Sequence, residues 1–284
     1  MPIANLNDVD IYYEDDGMGT PVIFLHEYCA DLRSWDEVAG ALSHGFRCIR
    51  PNFRGYPPST TSSDSANYSS DLLVGDLEAL LSYLNIKRAH IVGVATGGGI
   101  ALNLAIRRPD LVDSLVLIGL GAGSNDREQW LTGAGALAKA IAEEGIPALV
   151  KNMLAAPQRQ ALKLKNPIAW EKFIQGLGGL SQVGMSLTMT NVLMARRPLQ
   201  DLVAEIFEIT VPTLVVLGDQ DAPAFESCLF LRRSIKNSAL YVLPLTGHMV
   251  PVEEPAQLSA ALDHFLTAID KGRWGNWLRT EAAN

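Results

Sequence analysis

Apolar residues fall along the chain in two alternating rhythms. Short unbroken runs, Pro21-Val22-Ile23-Phe24-Leu25, Ser114 to Ile118 and Thr213-Leu214-Val215-Val216-Leu217, read as strands buried on both faces. Val9 to Glu14 alternates and reads as an edge strand closed by Asp15-Asp16-Gly17; Arg47 to Arg50 and Ala239 to Leu243 are further short strands. Between the runs the spacing changes to three or four. Tyr68 to Leu84 carries Leu72, Leu73, Leu77, Leu80, Leu81 and Leu84, the stripe of an amphipathic helix. Asp31 to Ser43, Glu226 to Ile235 and Glu254 to Ile269 also read as helices, and Gly/Pro/Ser/Thr-rich Phe53 to Asn67 as a surface loop. Strands alternating with helices predict parallel βαβ units, an α/β fold. From about Gly121 to Ile209 no strand run occurs, only helical periodicity, as in Leu137 to Glu144 and Pro147 to Leu154. This predicts a core of residues 1–120 and 210–284 with a helical cap, 121–209, inserted between.

Composition narrows the function. A hydrophobic content of 48% supports a large core. A net charge of −8 and a pI near 5.1 argue against nucleic acid and membrane surfaces as partners. No apolar stretch approaches the roughly 20 residues of a membrane span, and the start, Met1 to Asp8, lacks signal-peptide character. Cys29, Cys48 and Cys228 are odd in number and widely spaced, which fits reduced thiols and a cytoplasmic location. The expected partner is a small-molecule substrate, the protein being a monomer or homodimer. In the tail from Lys271, Trp274, Trp277 and Leu278 are expected to pack on the body.

One stretch carries the chemistry. Ala89 to Ala101 reads as a buried strand, an abrupt glycine-rich turn and the start of a helix. That is the layout of a G-x-S-x-G nucleophile elbow, in which a sharp turn lifts one side chain above the sheet. Gly93 and Gly97 hold the glycine positions, but the apex between them is Ala95. A methyl group cannot attack a carbonyl. Thr96 carries a hydroxyl one residue off the apex; making it the apex would require glycine at Val94. Gly97-Gly98-Gly99 lacks the G-x-G-x-x-G spacing and the acidic residue of a dinucleotide fingerprint, so no nicotinamide cofactor, and no other cofactor, is expected.

Asp221 follows the Thr213–Leu217 strand, and His248 follows the next strand after Thr246-Gly247. Strand ends of a parallel sheet are where α/β sites are built. A serine hydrolase needs an imidazole base and a carboxylate to orient it, and position 95, Asp221 and His248 stand in the chain order nucleophile, acid, histidine. On these residues the chain resembles the α/β-hydrolase superfamily over nearly its whole length. The resemblance implies an eight-stranded, mostly parallel sheet flanked by helices, with the cap inserted after the sixth strand. It assigns Asp221 in G-x-x-D as the acid and His248 in G-H as the base, Asp219 remaining the alternative acid. Leu25-His26-Glu27-Tyr28 is similar to the family's H-G-x loop, which implies an oxyanion hole from the Tyr28 and Thr96 amides. Glu27 stands where most relatives have glycine, and Asn52 where many have aspartate. Both departures are usual in a bacterial subgroup that Asp31-Leu32-Arg33-Ser34-Trp35 and Arg54-Gly55-Tyr56-Pro57-Pro58-Ser59 resemble.

The remaining candidates follow from position and type. Glu27 is expected to contact substrate or hydrogen-bond loop backbone. Met153, Met185, Met189 and Met194 are candidates for an apolar pocket lining or for helix packing. In Arg196-Arg197, Arg196 is the candidate for a substrate carboxylate, solvent exposure being the alternative. His26 reads as loop packing, and His44, His90 and His264 have no metal-ligand spacing, so no metal is expected. Three accounts of Ala95 compete: a serine hydrolase whose nucleophile has been replaced by alanine, a natural ligand-binding protein, and nucleophile-free catalysis by His248. Retention of Gly93, Gly97, Asp221 and His248 favours the first. The expected reaction is hydrolysis of a small-molecule ester, with amide or C–C bond hydrolysis as alternatives on the same scaffold.

Overall fold

The apolar runs form the middle of one sheet. The computed structural model describes residues 2–6 and 8–275. Its strands are β1 (Ile3–Leu6), β2 (Val9–Asp16), β3 (Thr20–Leu25), β4 (Phe46–Pro51), β5 (Ala89–Val94), β6 (Val112–Ile118), β7 (Thr213–Gly218) and β8 (Ser238–Leu243). They hydrogen-bond in the order β1-β2-β4-β3-β5-β6-β7-β8. β1 pairs antiparallel with β2, and β2 with β4; every other pairing is parallel. Every residue of β5 and β7 is buried, as continuous apolar runs require. The parallel strands therefore end together, and Leu25, Val94, Ile118 and Gly218 all open onto one edge of the sheet. β1 has no counterpart in the sequence reading. Four residues are too short to show a period, and the strand exists through its register with β2, Ile3 opposite Tyr12.

The two-residue alternation of strand side chains divides the core. Val22 and Phe24 face one layer with α1 (Asp36–Leu42) and the C-terminal helix. Ile23 and Leu25 face the other, with α2 (Ser70–Tyr83) and α3 (Thr96–Arg107). The Ser69 hydroxyl caps α2 by accepting from the Leu72 N–H at 3.1 Å. The helix expected over Asp31 to Ser43 is broken: Leu32–Trp35 is a 3-10 turn capped by Asp31, and α1 begins after it.

Between β6 and β7 the described residues form only helices: α4 (Arg127–Glu144), α5 (Ile146–Ala155), α6 (Gln160–Lys165), α7 (Pro167–Leu177), α8 (Gln182–Thr188) and α9 (Val203–Phe207), with short 3-10 and π turns. α10 (Ala222–Ser234), α11 (Val250–Glu253) and α12 (Pro255–Asp270) complete the chain. The segment Phe53 to Asn67 is not simply a surface loop. Phe53, Arg54, Tyr56 and Ser59 are buried, and Arg54 forms an ion pair with Asp76 of α2 at 2.6 Å. Trp274 packs edge-on against Phe265, ring centroids 4.7 Å apart; Trp277 and Leu278 lie outside the described residues. No helix among the described residues is long and apolar enough to cross a membrane.

Candidate active site

The turn after β5 is sharp because glycine permits it. A Cβ on Gly93 would lie 2.3 Å from the Gly97 carbonyl oxygen, and one on Gly97 2.2 Å from that of Leu25. Only two glycines let α3 fold back this closely over β5 and β3. The cost falls on the apex. Ala95 has φ 49° and ψ −105°, a conformation that L-residues with a Cβ rarely adopt. Its amide donates to the Ile118 carbonyl at 2.8 Å and its carbonyl accepts from the Gly99 N–H at 3.0 Å, so the backbone is held at both ends. The methyl opens onto a cavity of about 340 Å³.

His248 lines the same cavity. Its Nδ1 donates to Asp221 Oδ2 at 2.7 Å, which leaves Nε2 as the available base. Asp221 is fully buried, and its other oxygen, Oδ1, has no partner among the described residues, so its charge is directed at the imidazole. Asp219 points elsewhere, accepting from the Thr246 N–H at 3.2 Å. Burial alone would lower the His248 pKa. The Asp221 charge and hydrogen bond, helped by Glu27, outweigh it and raise the pKa above the ordinary histidine value.

Tyr28 and Thr96 border the cavity with their amides free of protein acceptors among the described residues. Thr96 is the first residue of α3, where an amide has no intrahelical partner. The Tyr28 peptide is fixed from both sides. Its carbonyl accepts from the Tyr56 hydroxyl at 2.9 Å, and its own hydroxyl donates to the Met185 carbonyl at 2.8 Å. His26 braces this loop from beneath. Its Nδ1 donates to the Glu27 carbonyl at 2.8 Å, and its Nε2 accepts from the Phe53 N–H at 3.1 Å. Burial lowers the His26 pKa to about 4, consistent with the neutral ring that these two bonds demand. Asn52 ties the neighbouring loops, accepting from the Leu32 N–H at 2.8 Å and donating to the Pro57 carbonyl at 2.9 Å.

Glu27 lines the cavity and also makes a contact that the sequence did not suggest. It forms a buried two-pronged ion pair with Arg159, at 2.9 and 2.5 Å, and its Oε2 lies 3.5 Å from His248 Nε2. Burial pushes the Glu27 carboxyl up, but the Arg159 guanidinium more than offsets this and holds it below the ordinary value. Arg159 was not a sequence candidate. Positions 27 and 159 share no period, and the available signal was indirect: a carboxylate in a buried loop requires a cation. The segment carrying Arg159 is also bound to the histidine loop, since the Gln158 carbonyl accepts from the His248 N–H at 2.9 Å.

The other candidates divide. Met153, Met189 and Arg196 line the cavity. Met185 does not; it is packed in the core, and it meets the site only through its carbonyl. Met194 is partly buried against the same core, and Arg197 faces solvent, paired with Glu205 at 2.8 Å. His90 is buried against Ser114 and Asp270, while His44 and His264 are exposed. A larger hollow, about 550 Å³, opens between the Asp31–Glu37 segment and α7. It shares only Cys29 with the first and contains neither Ala95 nor His248.

Comparison with known proteins agrees with this fold. The family model described as the alpha/beta hydrolase fold matches residues 20–255. A protein of Bacillus subtilis called AB hydrolase superfamily protein YisY is 27% identical, the match covering 90% of this chain and 95% of that one. A thermophilic esterase from Thermogutta terrifontis, solved with malate bound, superposes with a TM-score of 0.83 at 25% identity, covering 92% of this chain and 94% of its own. A hydrolase from Pseudomonas aeruginosa superposes with a TM-score of 0.80, also at 25% identity, covering 93% and 97%.

Proposed function

The chain belongs to the α/β-hydrolase fold family, and from that membership we propose that it is a carboxylic-ester hydrolase whose attacking residue is replaced by alanine. As it stands, the chain holds a small ester without cleaving it. The observation that carries this reading is the backbone at position 95. Ala95 is kept at φ 49° above a cavity that it shares with an imidazole paired to Asp221 at 2.7 Å. A pocket needed only for binding gains nothing from a strained apex or from a tuned base. The cavity, near the lower end of the usual range for ligand pockets, suits a small molecule.

With serine at 95, His248 Nε2 takes the hydroxyl proton while Asp221 holds the ring and stabilises the imidazolium. The alkoxide attacks the ester carbonyl. The oxyanion sits against the Tyr28 and Thr96 amides, each such donor contributing about 3–4 kcal/mol to lowering the barrier. The imidazolium returns its proton to the leaving alkoxide, and water activated by His248 then releases the acid. With Ala95 no acyl-enzyme forms, a loss that in a serine protease reaches about 10⁶ in turnover.

The test is Ala95→Ser assayed on p-nitrophenyl acetate beside Ala95→Ser/His248→Ala. A strong gain of esterase activity that the second substitution removes supports the reading. A folded Ala95→Ser protein with no gain, yet with tight ligand binding by the parent, would indicate a binding protein instead. Amides and C–C bonds beside a ketone use the same residues, and turnover of those substrates in preference to esters would reassign the bond cleaved.

A further inference from the structure

Arg196 faces the cavity without a counter-charge. α8 runs into a five-residue π turn, Met189–Leu193, which places Met189 and Leu193 on the cavity wall. Arg196 follows, its amide donating to the Val192 carbonyl at 3.1 Å, and lines the same wall. Its guanidinium donates to the Ala122 carbonyl and lies over the Trp130 ring, 5.3 Å from the centroid. Arg127 lies over the same ring at 5.3 Å, and its Nη2 donates to the Met194 and Arg196 carbonyls. Its Nη1 is buried without a partner among the described residues. Neither guanidinium has a carboxylate within ion-pair distance among those residues, whereas Arg159 and Arg197 both do. Glu27 is the one acidic side chain among the residues lining the cavity, and Arg159 already holds it.

Two half-buried like charges on one indole repel each other, and Asp201 acts on Arg127 only from beyond ion-pair distance. Burial, with Arg127 as the second cause, lowers the Arg196 pKa to about 10, still well above neutrality, so the charge persists. A negative group brought by the ligand would relieve the repulsion.

We propose that Arg196 docks a carboxylate on the substrate, so that the site takes a small ester bearing a free acid. This deepens the ester-hydrolase reading and rests on it for the bond cleaved. One planar guanidinium matches a carboxylate with two parallel hydrogen bonds. A phosphate dianion would call on the second cation, and Arg127 does not line the cavity. Trp130 supplies an apolar wall beside the anion site.

The experiment uses the Ala95 protein and calorimetric titration with monomethyl succinate and dimethyl succinate, esters alike except for the charge. The free acid is expected to bind about tenfold or more tightly than the diester, the usual scale for a hydrogen-bonded charge. Arg196→Met is expected to erase that difference by weakening the acid about tenfold more than the diester. Equal binding of the two esters by the parent, or a parallel loss of both in Arg196→Met, overturns the proposal; the parallel loss would mean that Arg196 only props Ala122 and Trp130. Should Arg196→Met fail to fold, salt titration of the parent decides: added chloride must weaken the acid and spare the diester. Ala95→Ser turnover of neutral p-nitrophenyl acetate is measured separately. Anion preference without turnover keeps this proposal and sinks the hydrolase reading, while turnover without anion preference does the reverse.

Discussion

At position 95 the backbone carries a strain that an alanine side chain does not repay. Conformations of this kind cost about 1–3 kcal/mol in a residue with a Cβ. Glycine escapes that cost, though it adds about 0.5–1 kcal/mol of unfolded-state entropy. Ala95→Gly is therefore expected to raise stability by about 1 kcal/mol in urea unfolding, against the loss that an ordinary alanine-to-glycine change produces. A loss of that ordinary size would show that the apex is unstrained. The histidine makes a second prediction. Its pKa lies above the ordinary value of 6.5 because two carboxylates flank it. In Ala95→Ser the base must be neutral, so kcat/KM should rise with pH through a midpoint above 6.5. A midpoint at or below 6.5 would contradict the account of Glu27 and Asp221. At this scale the pairing of Asp221 with His248 was legible because each follows a strand in a fixed motif. Glu27 was legible only as an oddity, since its partner lies 132 positions away.

Between elements, the same ion pair fastens the helical segment to the sheet. Arg159, in the turn before α6, reaches the loop after β3, while the Gln158 carbonyl accepts from the His248 amide. Both partners are buried, at 3% and 4% exposure, so the pair owes its worth to being complete. Arg159→Met strands a buried carboxylate and is expected to cost about 3–5 kcal/mol, whereas Glu27→Gln/Arg159→Met should recover much of that. Equal destabilisation of the single and double variants in urea would mean that the pair contributes packing alone. Sequence periodicity located α2 and the buried strands well, because each shows several repeats. It merged the 3-10 turn Leu32–Trp35 with α1, since the two share one apolar face and are separated only by their hydrogen-bond pattern. It also put Phe53 to Asn67 at the surface, since glycine, proline and serine mark turns without saying what lies above them. Here Tyr56 is fully buried, holding the Tyr28 carbonyl.

For the whole molecule, two histidines bound the pH range of stability from opposite sides. His26 has a folded pKa of about 4, below its unfolded value. The unfolded chain therefore binds the extra proton first, and this stability, present above about pH 6.5, is lost as pH falls toward 4. The shift corresponds to about 3 kcal/mol. His248 has the reverse sign: its stabilisation is complete below about pH 6.5 and is lost as pH rises through its raised folded pKa. Urea titrations of His26→Gln should show a flatter fall of stability between pH 6.5 and 4 than the parent; an unchanged slope would remove His26 from the acid limb. The parallel sheet and the helical interruption after β6 were readable from the alternation of strand and helix patterns. The strand order was not, because pairing joins β2 to β4 and β3 to β5 across the sequence order. The shape of the cavity was not readable either, since it depends on how the helices after β6 settle over the strand ends. The central claim is that only the attacking atom is missing from an otherwise assembled site. It is tested most directly by treating Ala95→Ser with a fluorophosphonate and weighing the intact protein. The account predicts one adduct per chain, on residue 95, that disappears in Ala95→Ser/His248→Ala; a folded, unlabelled Ala95→Ser protein would contradict it.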